Sequence, residues 1–236
     1  MPPIPMHTAT RTEVRSSHLR AFKLPAYGGT ERVALLPEQA VLLAGDHVEV
    51  SVRVAAGRAL EIVEPGGTVA YAMRGRAARW DVLVEVEDSG SLVWQGQPFV
   101  VSEGADVRRT LRVDMARDSR VVLRETLVLG RSGQDPGRLV SRSEVYREAV
   151  PVLVEELDSA VGLGDHRVVD QVLELGVQGQ IERVPPGGWL RGSGAERLRT
   201  SATADAMVLD SGDRLHRWLG AATHESPLQS SSPSAE

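Results

Sequence analysis

The length, composition and charge of this chain exclude several kinds of protein. Its 236 residues suit one large domain or two small ones, and 42% are hydrophobic and 25% charged, an ordinary globular balance. The formal net charge of −5 lacks the basic excess of a protein that coats nucleic-acid phosphates. The absence of cysteine excludes disulfides, thiol catalysis and cysteine-ligated metal sites. No apolar run reaches membrane-span length. We therefore expect a cytoplasmic protein that binds neither nucleic acid nor membrane.

Alternating apolar and polar residues dominate the chain before residue 150. The sequence HVEVSVRV at 47–54 places four valines on one face and polar side chains on the other. The sequences WDVLVEVE at 80–87 and TLRVDM at 110–115 repeat this pattern, whereas VVLRETLVLG at 121–130 is more continuously apolar, as a strand buried on both faces would be. Gly-, Asp- and Pro-rich turn signals separate these runs at intervals typical of an all-β protein. We predict mostly β-structure from about residue 11 to 160.

The last third of the chain is less regular. Residues 164–176 could form a short helix or a strand, and periodicity does not separate the two. Residues 211–222 favour a helix, because Leu215, Trp218 and Leu219 would share one helical face. The Ser/Pro-rich sequence at 226–236 is typical of a disordered tail. We therefore predict a flexible N-terminus at 1–10, a β domain over 11–225 and a disordered tail over 226–236, with helix confined mainly to the region after 160.

The chain lacks the motifs of several enzyme classes. It contains no phosphate-binding G-x-x-x-x-G-K-[ST], no complete dinucleotide fingerprint and no G-x-S-x-G nucleophile elbow. The six histidines show no ligand spacing, and the tripeptide Gly-Asp-His, at 45–47 and 164–166, fits either a pair of metal ligands or two capped turns. Glu125 interrupts an apolar run, where an ionised side chain is costly unless paired or hydrated, and Arg124 should point to the opposite face. We predict that the protein is not an enzyme.

Four segments in order resemble the UreD (UreH) family of urease accessory proteins, in its actinobacterial form. The first has Gly45-Asp46 before a strand and Pro65-Gly66-Gly67-Thr68 leading to Tyr71. The others are GSLVWQGQPFVVSEGA at 90–105, LRETLVLGR at 123–131 and SRSEVYREAVPVLVEEL at 141–157. The resemblance implies a fold that is mostly β, a layered, helix-like stack of strands, with about two short helices in the C-terminal third.

The resemblance also implies a function. A UreD-like protein is a non-enzymatic chaperone that docks on apo-urease with UreF and UreG and assists GTP-dependent nickel insertion. The GTP belongs to UreG, so we expect no stably bound cofactor in this chain, only nickel in transit. We also expect the isolated protein to be poorly soluble, because a β stack with uncovered strand edges associates readily. The alternatives are a β-rich ligand- or protein-binding module unrelated to urease and a hydrolase with paired carboxylates, for which the spacing suggests no pair.

Aligning the family motifs places an acidic or hydroxyl residue at four positions of this chain: Asp46, Thr68, Glu125 and Glu155. Oxygen ligands hold Ni²⁺ weakly enough to release it, whereas thiolates or clustered imidazoles would retain it. Grouped around water, the three carboxylates could remain ionised and form a transient nickel path, with Thr68 as a polar neighbour. The alternative is that each of them caps a turn or pairs with an arginine.

Overall fold

The computed structural model describes residues 12–38, 41–176 and 205–228 and shows a chain built of β-strands. The strands, in chain order, are β1 Glu13–Ser16, β2 Leu19–Tyr27, β3 Thr30–Pro37, β4 Val41–Leu42, β5 His47–Val54, β6 Ala59–Val63, β7 Thr68–Ala70, β8 Ala78–Val86, β9 Ser91–Gln95, β10 Phe99–Val101, β11 Asp106–Met115, β12 Arg120–Leu129, β13 Arg138–Arg147, β14 Val150–Asp158, β15 Val168–Leu175, β16 Asp205–Val208 and β17 Arg214–Gly220. The prediction of a mostly β protein is confirmed.

The strands stack as successive coils of a β-solenoid. Strands β5, β8, β11 and β13 run parallel in a six-stranded sheet, with β1 and β14 antiparallel at its two edges. Strands β6, β9 and the first half of β12 run parallel in the second sheet, and β7, β10 and the second half of β12 form a narrow third face. Each coil thus visits three faces before the next coil stacks on it.

In-register stacking of aliphatic side chains forms the core. Val50 of β5 aligns with Val82 of β8, which aligns with Leu111 of β11, and all three are buried. The alternating pattern of the sequence produces this arrangement, because every second side chain of a strand faces the same side of the sheet. Burying one such side chain contributes about 1.5 to 3 kcal/mol, so the repeated interior row is a main source of stability.

The C-terminal third contains strands where the sequence favoured a helix, at 211–222, or left helix and strand open, at 164–176. Residues 214–220 form β17, which pairs antiparallel with β15 over seven aligned positions from Val168–Gly220 to Glu174–Arg214. Residues 168–175 form β15, the strand alternative for that segment. Within the described ranges the only helical element is a 3-10 turn at Thr223–Glu225, so the prediction of about two short helices is wrong there. A segment this short has little helical stability of its own, and pairing with a buried neighbouring strand decides its structure.

Parts of the predicted domain limits fall outside the described residues. These are the flexible N-terminus at 1–10 and most of the tail, from residue 229. Ser226, the first residue of the predicted tail, is buried, and its hydroxyl donates to Asp170 Oδ2 at 2.5 Å. In the part of the chain that is described, no helix is long and apolar enough to cross a membrane.

Candidate functional site

A small cavity lies at the corner where the chain passes from the second sheet to the narrow third face. Successive coils stack tightly there. A Cβ atom added to Gly67 would lie 2.3 Å from the Pro98 carbonyl oxygen, and a Cβ atom added to Gly96 would lie 2.7 Å from the Arg124 carbonyl oxygen. The cavity has a volume of about 50 Å³, enough for a few water molecules. Its lining combines apolar side chains with a few polar ones: Trp80, Trp94 and Phe99, together with Glu64, Thr68, Arg109 and Glu125.

Glu64 is one of the two carboxyl groups that line this cavity. Its Oε1 accepts a hydrogen bond from Trp94 Nε1 at 2.7 Å, and its Oε2 accepts one from the Gln97 backbone N–H at 2.9 Å. Burial raises the pKa of Glu64 above its ordinary value, although these two hydrogen bonds and the charge of Arg109 act in the opposite direction. Glu64 therefore retains its proton at a higher pH than an exposed glutamate does.

Glu125 is a buried carboxylate on the inner face of β12. Its Oε1 accepts from Arg109 Nη2 at 2.9 Å and its Oε2 accepts from Gln171 Nε2 at 3.0 Å. Arg124 points to the opposite face, as expected, and pairs with Asp170 at 2.8 Å. The charge of Glu125 is thus compensated by Arg109, which lies on the preceding strand, β11.

The polar contacts continue from Glu125 to the end of the solenoid. Gln171 Oε1 accepts from Nε and Nη2 of Arg217 at 3.0 and 2.7 Å. Arg217 in turn forms a bidentate ion pair with the two carboxylate oxygens of Glu155, at 2.6 and 2.5 Å. Glu155 is partly exposed, so hydrogen bonds connect the buried Glu125 with the surface. We call the following residues the interior polar line: Glu64, Arg109, Glu125, Gln171, Arg217 and Glu155.

The four residues expected from the sequence have different positions. Thr68 lines the cavity beside Glu125, and Glu155 connects to Glu125 through Gln171 and Arg217. Asp46 lies at another corner of the coil, between β4 and β5, where its Oδ2 accepts from the Leu43 backbone N–H at 2.8 Å. The structure therefore places Glu125 and Glu155 on the interior polar line, Thr68 next to it in the cavity lining, and Asp46 apart as a turn cap. That these residues carry nickel stays a prediction.

Sequence reasoning missed Glu64, Arg109, Gln171 and Arg217. The only local signal was for Glu64, which directly precedes the Pro-Gly-Gly-Thr segment. The partners of Glu125 lie 16 and 46 positions away, at separations that only the stacking of the coils makes contacts. Among residues 12–38, 41–176 and 205–228, no group of three or more His, Asp or Glu side chains is placed to hold a metal ion.

Comparisons with known proteins point to one family. The family described as UreD urease accessory protein matches residues 12–224. The protein named urease accessory protein UreD 1 of Streptomyces griseus is 37% identical over 195 residues, which cover 79% of this chain and 76% of that protein. The UreD proteins of Streptomyces coelicolor and Streptomyces avermitilis are each 33% identical, covering 83% and 78% of this chain and 81% and 80% of their own length.

Proposed function

The chain belongs to the UreD family of urease accessory proteins, and we propose that it is a non-enzymatic scaffold for nickel insertion into urease. A role in urease maturation follows from the family. In the proposed mechanism the chain docks on apo-urease in the cytoplasm together with UreF and UreG. UreG supplies GTP hydrolysis, and this chain contributes a docking surface and a route for nickel in transit.

The interior polar line is the observation that best supports a route through this chain. It connects the cavity around Glu64 and Glu125 with Glu155 at the partly exposed end of the solenoid, through a core that is otherwise mainly aliphatic. Burying so many charged and amide groups is costly, even when they are paired. A stack held together only by aliphatic rows would not need them, so they favour a function for the line.

The chemistry of the line suits passage of a borderline cation. Its ligands are carboxylate oxygens and an amide, which bind Ni²⁺ less tightly than thiolates or clustered imidazoles do. Thr68 adds a hydroxyl at the cavity. In this proposal Glu125 and Glu155 are transient ligands at the two ends of the Gln171–Arg217 link, and Asp46 contributes from its own corner of the coil.

Exposed apolar side chains at the sheet edges support the docking role. Strand β14 is an edge of the six-stranded sheet, and its Val150 and Val154 are 63% and 53% exposed. Strand β2 is an edge of the second sheet and exposes Phe22 and Tyr27. Edge strands with exposed apolar groups associate readily with other chains, so partner proteins are expected to cover them.

Co-expression with a cognate urease operon tests the proposed function. We expect urease made with this chain to contain nickel and to be active, and the chain to co-purify with apo-urease and its accessory proteins. Urease made without the chain should remain largely nickel-free. A chain that purifies as a stable monomer, binds neither apo-urease nor a UreF-type partner, and leaves nickel content unchanged would contradict the proposal.

A further inference from the structure

Arg109 lines the cavity and bonds directly to Glu125, and its own hydrogen bonding is incomplete. Its Nη2 donates to Glu125 and its guanidinium carbon lies 4.8 Å from the centre of the Phe99 ring. Its side chain is only 10% exposed, yet within residues 12–38, 41–176 and 205–228 Nε and Nη1 have no hydrogen-bond partner. Buried donors of a charged group are costly to leave unpaired, so this arrangement requires a reason.

The neighbouring cavity explains how these donors are tolerated. Arg109 lines a space of about 50 Å³, in which water molecules can accept from Nε and Nη1. The single direct ion pair to Glu125 and the open space beside it leave the guanidinium room to change its position. By contrast, Arg112 on the same strand is held by both oxygens of Asp114, at 2.7 and 2.9 Å, and also contacts Glu144. Arg109 is thus less firmly bonded than its neighbour.

The charge of Arg109 decides whether the carboxylates around it can accept a metal ion. Its guanidinium bonds directly to Glu125, and its charge also acts on Glu64. A divalent cation bound at Glu125 would lie within a few ångströms of this positive charge, and such repulsion is strong in a partly dehydrated interior. While Arg109 is bonded to Glu125, the site is therefore closed to Ni²⁺.

We propose that Arg109 is a gate for the interior polar line: it occupies Glu125 as an internal counter-ion and admits a divalent cation only when its guanidinium group moves away from Glu125. This inference rests on the proposed nickel route. Arg109 then acts as a positioning residue, which holds Glu125 in place and determines when that carboxylate becomes a ligand.

Nickel binding to charge-removing variants tests the gate. The full-length chain, purified with the accessory partner with which it is co-expressed, is dialysed against Ni²⁺ as wild type, Arg109→Gln and the double variant Arg109→Gln/Glu125→Gln. We expect Arg109→Gln to bind one Ni²⁺ at least about 100-fold more tightly than wild type, because one like charge is removed at close range. The double variant should lose that gain. Arg109→Met, which keeps an unbranched apolar stem without the charge, replaces the glutamine variant if that variant does not fold.

Arg112→Gln is the matched control, since it removes a buried arginine of the same strand whose carboxylate partners lie away from the cavity. The gate is overturned if neither Arg109 variant gains nickel, if the gain survives loss of Glu125, or if Arg112→Gln gains it equally. Failure of the gate is separable from failure of the proposed function. If Glu125→Gln alone lowers urease nickel content while the Arg109 variants bind no nickel, only the gate is wrong; normal loading with Glu125→Gln counts against the route instead.

Discussion

At the scale of single residues, two carboxyl groups show how position in the coil decides chemistry. Glu64 is protonated more readily than an exposed glutamate because burial raises its pKa. Asp46 accepts a backbone N–H in a turn, and among the described residues its side chain makes no hydrogen bond to the interior polar line. Both residues flank glycine-containing turn segments of similar appearance in the sequence, and only their place at different corners separates them.

Replacing Glu64 by glutamine should change how stability depends on pH. The ordinary pKa of this group is 4.5 and the folded value is higher, so the folded protein binds more protons than the unfolded chain between these values. The free energy of unfolding of the wild type should therefore fall, through this group, as pH rises from 4.5 towards the folded pKa. Urea denaturation at a series of pH values should show a smaller fall for Glu64→Gln. Identical slopes for the two proteins would contradict the assignment.

Two substitutions at Asp46 separate its turn-capping role from a role in nickel transfer. We expect Asp46→Ala to lower the free energy of unfolding by about 1 kcal/mol, because it leaves the Leu43 N–H without its acceptor. Asp46→Asn should be nearly neutral, since an amide oxygen can still accept this bond. Thermal denaturation measures both. A fall in urease nickel content with the stable Asp46→Asn variant would show that the charge itself is needed, as the sequence alignment suggested.

At the scale of elements, the corner between the second and third faces depends on close backbone stacking. Gly67 leaves no space for a Cβ against Pro98, whereas a Cβ on Gly66 would meet nothing within 4 Å. We expect Gly67→Ala to destabilise the fold by about 1 to 3 kcal/mol and Gly66→Ala to have little effect. Chemical denaturation of the two variants gives the comparison. Equal stabilities would indicate that the corner is looser than the structure shows.

The C-terminal hairpin depends on a single buried aspartate. Asp213 accepts from Arg147 at 2.8 Å and from the Gly176 backbone N–H at 2.7 Å, and it thereby ties the β16–β17 turn to β13 and β15. Although burial alone would raise it, the pKa of Asp213 is lowered by hydrogen bonds from Arg147, Ser211 and Gly176. This contribution to stability is present above the ordinary pKa and is lost as pH falls through the lowered one.

We expect Asp213→Asn to cost about 2 to 4 kcal/mol, because it leaves the largely buried guanidinium of Arg147 without its counter-charge. Hydrogen exchange should show faster opening of β16 and β17. The exposed Asp210 in the same turn provides a matched control, and Asp210→Asn should leave exchange unchanged. Equal protection of the hairpin in both variants would mean that strand pairing alone holds it.

The sequence predicts an element well when the pattern that specifies it lies within the element itself, and poorly when distant residues specify it. The solenoid strands follow from the alternation of residues such as Val50 and Val52, which is local. The C-terminal strand β17 does not follow from local pattern, because Leu215, Trp218 and Leu219 also fit one face of a helix. Pairing with β15 is what makes this segment a strand. For the interior polar line, the sequence shows that Glu125 interrupts an apolar run, but it does not show that Arg109 and Gln171 bind this carboxylate. Contacts between residues in different coils leave no trace in local spacing.

At the scale of the whole molecule, the chain is a row of coils with interior contacts along its axis and exposed strand edges at its sides. In a stack of this kind each coil depends on its neighbours, and uncovered edges remain available to other chains. The coil stacking creates the interior polar line, and the proposed function assigns the exposed edges to partner proteins. Both features suit a scaffold better than a catalyst with a single deep pocket.

Charging the exposed edge should reduce association of the isolated chain. Val154 of β14 is 53% exposed, so Val154→Lys should raise the soluble fraction without loss of stability. Val152 on the same strand packs against the core, and Val152→Lys should instead destabilise the protein. Sedimentation of the expressed chains, with thermal denaturation, distinguishes the outcomes. An unchanged soluble fraction for Val154→Lys would show that another surface causes association.

The nickel content of urease matured with Glu125→Gln tests the central claim most directly. Glu156→Gln is the control, because Glu156 lies on β14 next to Glu155 but its side chain is 57% exposed. With both variants soluble and still bound to apo-urease, we expect nickel per active site to fall clearly with Glu125→Gln and to match the wild type with Glu156→Gln. Full nickel loading by urease matured with a stable Glu125→Gln chain would contradict a nickel route along the interior polar line.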